Sequence, residues 1–416
     1  MSIINLFKTL KPFQLKNLLV LFIAGFFFWI SVSILLPTLP TYIKSVGANV
    51  QQVGQVMGCF AIGLLLSRTL MGRFADRHSR KLVLLIGSFV VAVAPICYIY
   101  FNSIAELMAV RAFHGISIAA FTIGYSALVV DLSPIHNRGE AIGYMNLAVP
   151  TGMAAGPAIG SYIVNSVGYA PLFLASASSG CLALLLAAQI QERKLKSVYI
   201  EDLPPSIRVS RNFWQLINSP ALNVPTVILS LVGLLFGTIV AFLPLYVEEL
   251  NIDFNLGLFY TVVAISSFSV RIFVGKASDR YGRGLFITLS LLCYVVSMTL
   301  LSVANSPAIF LLVAVAEGFG RGLLIPIMLT LISDRSYDNE RGRVFALCLG
   351  GFDVGLALAG PILGIVLAAI GYRQLFSFAS VLAIFALLFF MTKSNKNLNS
   401  SLRFAVGQER DLHAVS

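Results

Sequence analysis

The chain has 416 residues, 58% of them hydrophobic and only 11% charged, with a mean hydropathy of +0.88 and a formal net charge of +11. A soluble domain carries about 25% charged residues, so this chain has too few to cover a water-facing surface, and a soluble globular fold is excluded. Its five cysteines (Cys59, Cys97, Cys181, Cys293 and Cys348) all fall in apolar runs, without metal spacing, and an odd set of this kind argues against a disulfide framework.

Twelve apolar stretches follow in chain order, each near the roughly 20 residues that cross a bilayer as a helix. Span 1 covers 17–39, span 2 51–71, span 3 82–101, span 4 104–131, span 5 140–164 and span 6 170–190. A polar linker (191–219) leads to span 7 (220–246), span 8 (256–275), span 9 (284–303), span 10 (307–333), span 11 (341–367) and span 12 (373–392), before a tail at 393–416. The expected domains are therefore two six-helix halves, 1–190 and 220–392. A β-barrel is excluded, since its segments would be about ten residues of alternating polarity. Span 1 follows Lys8, Lys11 and Lys16 like the apolar part of a signal peptide. It is too long for one, however, and reaches Pro37 and Pro40 without a small-residue cleavage site, so it reads as a membrane helix. Phe213 and Trp214 in the linker belong either to a plain loop, the simpler expectation, or to a short surface helix.

Of the 29 Lys and Arg residues, only Lys44 and Arg373 lie on one side of this layout. Arg68, Arg111, Arg271 and Arg321 fall inside spans, and all the rest share the other side. The positive-inside rule makes that richer side cytoplasmic, with both termini inside. The basic balance is thus a topology signal, which argues against a nucleic-acid partner.

The chain also repeats itself at an offset of 203 residues: Arg68 matches Arg271, Gly72 matches Gly275, Asp76-Arg77 match Asp279-Arg280, and Arg80 matches Arg283. Asp131 matches Asp334, and "GYAPLF" at 168–173 matches "GYRQLF" at 371–376. Fixed-period self-similarity marks a repeat architecture. Six spans separate the copies, so the halves are parallel. Transporters built of parallel repeats bind substrate near the bilayer midplane.

Three motifs carry a resemblance. Gly72, Asp76, Arg77 and Arg80 form Gly-x-x-x-Asp-Arg-x-x-Arg between spans 2 and 3, copied as Gly275, Asp279, Arg280 and Arg283. Arg111 and Gly115 stand in "RAFHGISIAA" of span 4. Gly152, Gly156, Pro157 and Gly160 form "GMAAGPAIG" in span 5. With these the chain resembles the major facilitator superfamily over roughly residues 15–392, and within it the 12-helix drug/proton antiporters. The paired glycines that often end the third motif are replaced here by Gly160-Ser161. The resemblance implies an all-α polytopic membrane protein of twelve transmembrane helices in two parallel six-helix halves around a central cavity. It also implies that Asp76 and Asp279 act as gating latches at the helix starts near 339–342 and 137–139.

Burying an ionisable group at mid-membrane costs about 2.5–3.5 kcal/mol or more, so such residues are functional candidates by default. They are Arg111 and His114 on span 4, Glu317 and Arg321 on span 10, and Asp353 on span 11. His114 and Glu317 are repeat equivalents. Glu317 is the first candidate for a proton carrier and Asp353 the second, with a static Glu317–Arg321 pair as the competing expectation. Arg68 and Arg271, one turn from a span end, can snorkel. The Gly152–Gly160 stripe allows close helix packing, expected against span 8. "GFGRG" (318–322) has the letters of a nucleotide loop but lies inside a span, so it binds no phosphate.

The expected function is proton-coupled export of small organic molecules, with no enzymatic activity, no cofactor and no metal, the proton gradient supplying the energy. The expected partners are a small-molecule substrate and membrane lipid, for a chain working as a monomer in a bacterial plasma membrane. Export of a cell-made metabolite such as a siderophore, a sugar or organic-solute permease, and a lipid flippase remain the alternatives, since fold does not fix substrate.

Overall fold

The computed structural model describes residues 12–133, 138–192, 215–216, 218–337 and 340–415. The side chains of 138–140, 272–276 and 279 lie outside the description, as do Phe213 and Trp214 of the linker. The described residues form α-helices and no strand. In chain order these are α1 (Pro12–Ser33), α2 (Leu39–Ser45), α3 (Val50–Arg77), α4 (Arg80–Tyr100), α5 (Ile104–Leu132), α6 (Arg138–Met145), α7 (Ala148–Val167) and α8 (Tyr169–Gln189). Then come α9 (Pro220–Glu249), α10 (Leu256–Tyr281), α11 (Arg283–Ser302), α12 (Pro307–Asp334), α13 (Arg341–Ile370), α14 (Tyr372–Lys393) and α15 (Leu398–Ala405). Among the described residues, eleven helical stretches are long and apolar enough to cross a membrane, and Leu256–Arg271 of α10 is a further, shorter apolar stretch.

The helix boundaries follow from local chemistry. Asn49 and Gln52 close a capping box at the start of α3, as Ser103 and Glu106 do for α5, each satisfying backbone N–H groups that a helix start leaves open. Span 1 is not one helix: α1 stops at Ser33 and α2 begins at Leu39. Pro37 lacks an N–H and disfavours helical geometry in the residue before it, while Pro40 sits in the first turn of α2, where a proline is tolerated. Span 5 is likewise interrupted at Asn146–Leu147, with Pro150 just inside the restarted helix α7.

Two expected loops are helical. Gly72, Asp76 and Arg77 lie within α3, leaving only His78 and Ser79 before α4, and Gly275, Asp279 and Arg280 lie within α10, leaving only Gly282 before α11. Charge ends the apolar span, but it does not end a helix. Arg68 is consequently more than two turns from the end of α3 rather than one. The links at Gly168 (φ 91°) and Gly371 (φ 81°), repeat equivalents, each end one helix and begin the next. A side chain is rarely tolerated at such φ.

The chain packs as two compact units, residues 1–194 with 255–264 and residues 195–254 with 265–416. In the first unit, α3 crosses α5 so closely that a Cβ on Gly63 would collide with the Ala112 carbonyl and one on Gly115 with that of Phe60. Small residues allow such approach between membrane helices. In the second unit α9 crosses α13 in the same manner, Gly233 against Phe352 and Gly355 against Ser230.

The glycine stripe of α7 does not face α10. Gly152, Gly156 and Gly160 pack on the end of α1 and the residue after it, against Trp29, Ser33 and Ile34, and the Ser33 hydroxyl donates to the Gly152 carbonyl (3.1 Å). The four-residue spacing puts all three on one face of α7, and that face is used within the first unit. The start of α10, which packs in the same unit, meets other atoms of α7: Thr261 donates to the Ala154 carbonyl (2.9 Å), and Gly257 lies against Pro157.

The tail after α14 is folded. Arg335, just past α12 and 1% exposed, donates from Nε and Nη2 to both carboxylate oxygens of Asp411 (2.7 and 3.0 Å). Its other bonds go to the carbonyls of Ala221 (2.8 Å) and Ser394 (2.7 Å). Asn395 accepts from the Leu412 N–H and donates to the Arg410 carbonyl, both at 3.1 Å. Thr288 of α11 donates to the Ala405 carbonyl (2.8 Å). One buried guanidinium thus ties the start of α9, the end of α14 and the tail together.

Candidate functional site

At the end of α3 and the start of α4 the charged motif resolves into two kinds of residue. Arg80 forms an ion pair with Asp131 at the end of α5, and its repeat equivalent Arg283 forms one with Asp334 at the end of α12. Each pair closes within its own unit. The Arg80 N–H and the Ser79 hydroxyl both donate to Glu192, which follows α8. Asp76 and Arg77, by contrast, are exposed, and among the described residues nothing lies within 4 Å of where a Cβ on Gly72 would go. Arg280 is exposed, with its guanidinium 5.4 Å from the Tyr281 ring. The side chain of Asp279 lies outside the described residues. Asp131→Asn is expected to lower the unfolding midpoint in detergent by the equivalent of about 1.5–3 kcal/mol, the usual worth of a hydrogen bond to a charged group. The swap Arg80→Asp with Asp131→Arg should recover part of it, and a midpoint unmoved by the single change would contradict the pairing.

The intramembrane charges form one cluster in each unit. In the first, the α5 residues Arg111 and His114 are 6% and 0% exposed, three positions apart and so on one face. The Arg111 guanidinium lies over the Phe60 ring of α3, 4.3 Å from its centroid, a cation–π contact. The His114 ring meets the same Phe60 edge-on at 5.5 Å. Its Nδ1 shares a hydrogen bond with the Tyr98 hydroxyl (3.2 Å), and Tyr98 is held by the Tyr42 hydroxyl on its carbonyl (2.7 Å). The His114 Nε2 and Arg111 Nε are buried without a hydrogen-bond partner among the described residues.

The second unit mirrors this plan with an acid. Glu317 of α12 is 2% exposed, and neither carboxylate oxygen has a hydrogen-bond partner among the described residues. The Ser297 hydroxyl of α11 lies beside it without the geometry of a bond. Arg321, one turn along α12, forms no ion pair with Glu317 among the described residues, the arrangement the competing expectation required. Its guanidinium lies over Phe236 of α9, 4.1 Å from the centroid, and Phe236 in turn stacks on Phe352 of α13 at 6.0 Å. Asp353, the next residue, is 5% exposed. A buried carboxyl without hydrogen-bond donors is costly to keep as an anion.

Phe60, Phe236 and Tyr98 carried no signal in the sequence, because aromatic residues are scattered through every span. Only the placement of the two arginines and of His114 distinguishes them. The Arg80–Asp131 pairing did have one: both partners recur at the same offset.

The helices and buried charges define a multi-pass helical membrane protein built on an internal duplication. Comparison with known proteins identifies the class, since the Major Facilitator Superfamily model matches residues 21–285 and again 257–408. The chain belongs to that superfamily and is a transporter. The multidrug resistance protein MdtG of Enterobacter lignolyticus (strain SCF1) is 25% identical over 382 residues, covering 89% of this chain and 90% of that protein. The quinolone resistance protein NorA of Staphylococcus aureus (strain MRSA252) is also 25% identical, over 78% of this chain and 83% of its own length. Among solved structures, a point mutant of the nucleoside transporter NupG superposes with a TM-score of 0.76 at 13% identity, covering 90% of this chain and 99% of that one. A bacterial homolog of the human lysosomal transporter Spinster gives 0.71 at 15%, covering 91% and 96%. At such identity these two structures speak to the fold alone.

Proposed function

We propose that the chain is a proton-coupled exporter of small organic molecules in a bacterial inner membrane, with both termini cytoplasmic. The observation that carries this reading is Glu317, a carboxyl enclosed in α12 with no hydrogen-bond donor of its own among the described residues. Taking a proton neutralises it and losing one charges it, so its two states differ steeply in their preference for water or apolar surroundings. Arg321 and Arg111, parked on aromatic rings rather than on acids, are charges able to change partner during a cycle. Export is supported by the glycine-rich α7 motif and by relatives that are named for drug resistance. The substrate is a small molecule, with the proton gradient as the driving force and no bound cofactor.

Purified protein in proteoliposomes with an imposed pH gradient, offered panels of dyes, siderophores and sugars, tests this directly. A dye or drug should move against its gradient only while the pH gradient lasts. Transport indifferent to the pH gradient for every compound would overturn the coupling. Asp76, exposed at the end of α3, acts in this reading on the equilibrium between conformations. Asp76→Asn is therefore expected to change the transport rate several-fold while the expression level stays near normal, compared by immunoblot and initial rates. An unchanged rate removes Asp76 from the gate.

A further inference from the structure

Helix α15 is dressed the wrong way round for water. Its packed face consists of Ser400, Ser401, Phe404 and Ala405, all buried. Its open face carries Leu398, 55% exposed, and Leu402, 39% exposed, with Val406 directly after it at 45%. These three are spaced by four residues and form one apolar stripe. An eight-residue helix has little stability of its own, so a stripe left in water would be a pure cost.

Its place in the fold shows what covers it. Phe404 packs against Gly284 at the start of α11 and against Phe390 near the end of α14, with ring centroids 6.1 Å apart in the latter case. Both neighbours have exposed apolar surfaces. On α11 these are Leu289, Leu292 and Val296, and on α14 Val381, Ile384, Phe385 and Leu388. In a multi-pass membrane protein such surfaces meet lipid, and α15 packs through Phe404 at the start of α11 and near the end of α14.

The charges fit the same environment. Lys393, Lys396, Arg403 and Arg410 are exposed around α15. The acids of the segment are already engaged: Asp411 is taken by Arg335, and Glu409 accepts from Ser400 (3.0 Å) with the Arg403 Nε 3.8 Å away. What the tail offers outward is therefore aliphatic side chains bordered by cations, the pattern of a helix lying in a membrane interface. Basic residues there gain from anionic headgroups. The Arg335–Asp411 fork and the Asn395 bonds hold the segment folded beforehand, so little ordering cost remains for binding.

We propose that residues 393–415 form a membrane-interface anchor, with Leu398, Leu402 and Val406 entering the boundary between headgroups and acyl chains and Lys396, Arg403 and Arg410 engaging anionic phospholipid. This holds whatever the substrate or coupling ion.

The test uses the full chain in nanodiscs of phosphatidylcholine with or without phosphatidylglycerol. Leu402→Cys and, as a water-facing control in the same segment, Gln408→Cys are labelled with a membrane-impermeant maleimide. With phosphatidylglycerol present, the cysteine at 402 should react at least about tenfold more slowly than that at 408, because it lies in the interface. Replacing Lys396, Arg403 and Arg410 with Gln should narrow that gap and remove its dependence on phosphatidylglycerol. Equal rates at the two positions would overturn the anchor. A gap indifferent to both lipid and charge replacement would overturn the anionic-lipid assignment. None of these five side chains is buried, so the unfolding midpoint in detergent should not move, and a large drop would show that the segment is structural packing instead.

Discussion

Glu317→Gln is expected to abolish proton-driven flux while leaving the protein folded and able to bind and exchange its substrate. Glutamine keeps the shape of the side chain and retains hydrogen-bonding atoms, but it cannot give up a proton. It therefore imitates the neutral carboxyl permanently. Among the described residues Glu317 has no donors holding it as an anion, and Arg321 lies over Phe236 instead of pairing with it. The substitution thus breaks no structural bond, and the unfolding midpoint should stay near that of the parent. Uptake into proteoliposomes under an imposed pH gradient should fall by at least about tenfold, whereas substrate counterflow, which needs no net proton movement, should persist. An acid taking part only through packing would give the opposite split, with lowered stability and intact coupling. Full coupling in the variant would remove Glu317 from the mechanism and pass the role to Asp353.

The largest effect on stability is expected at Arg335. Its guanidinium is buried and fully engaged, binding Asp411 twice and the carbonyls of Ala221 and Ser394 once each. Removing one partner of a buried pair typically costs about 3–5 kcal/mol, because the other charge is left uncompensated. Arg335→Met should accordingly release the tail, seen as rapid protease cleavage after residue 393 and a lowered unfolding midpoint. Asp411→Asn should show a milder form of the same defect, since the amide oxygen can still accept one of the two bonds. A tail equally protected from protease in Arg335→Met would contradict the clamp.

Much of this protein was legible before folding was considered. The spans, their approximate ends and the duplication follow from apolar length, cation placement and a constant offset, which are properties of the chain in one dimension. Boundaries failed where backbone chemistry mattered more than polarity: Pro37 divides span 1, and the motif residues through Arg77 and Tyr281 continue their helices. The glycine stripe of α7 announced a close helix contact correctly in kind, but its partner is α1. Periodicity shows that a face is smooth without saying which neighbour uses it. The basic residues of the repeated motif look alike in sequence, and only packing separates the paired Arg80 and Arg283 from the exposed Arg77 and Arg280.

Hydropathy and repetition are local and additive, so the linear chain already specifies a duplicated helical membrane protein with ionisable residues at mid-span. Which partners those residues keep is settled by folding alone. Packing placed Arg111 on Phe60, Arg321 on Phe236 and His114 on Tyr98, left Glu317 without a donor among the described residues, and clamped the tail on Arg335. Such contacts join residues as far as 85 positions apart, Arg321 and Phe236. Their geometry is set by how the helices cross, which no stretch of sequence contains alone.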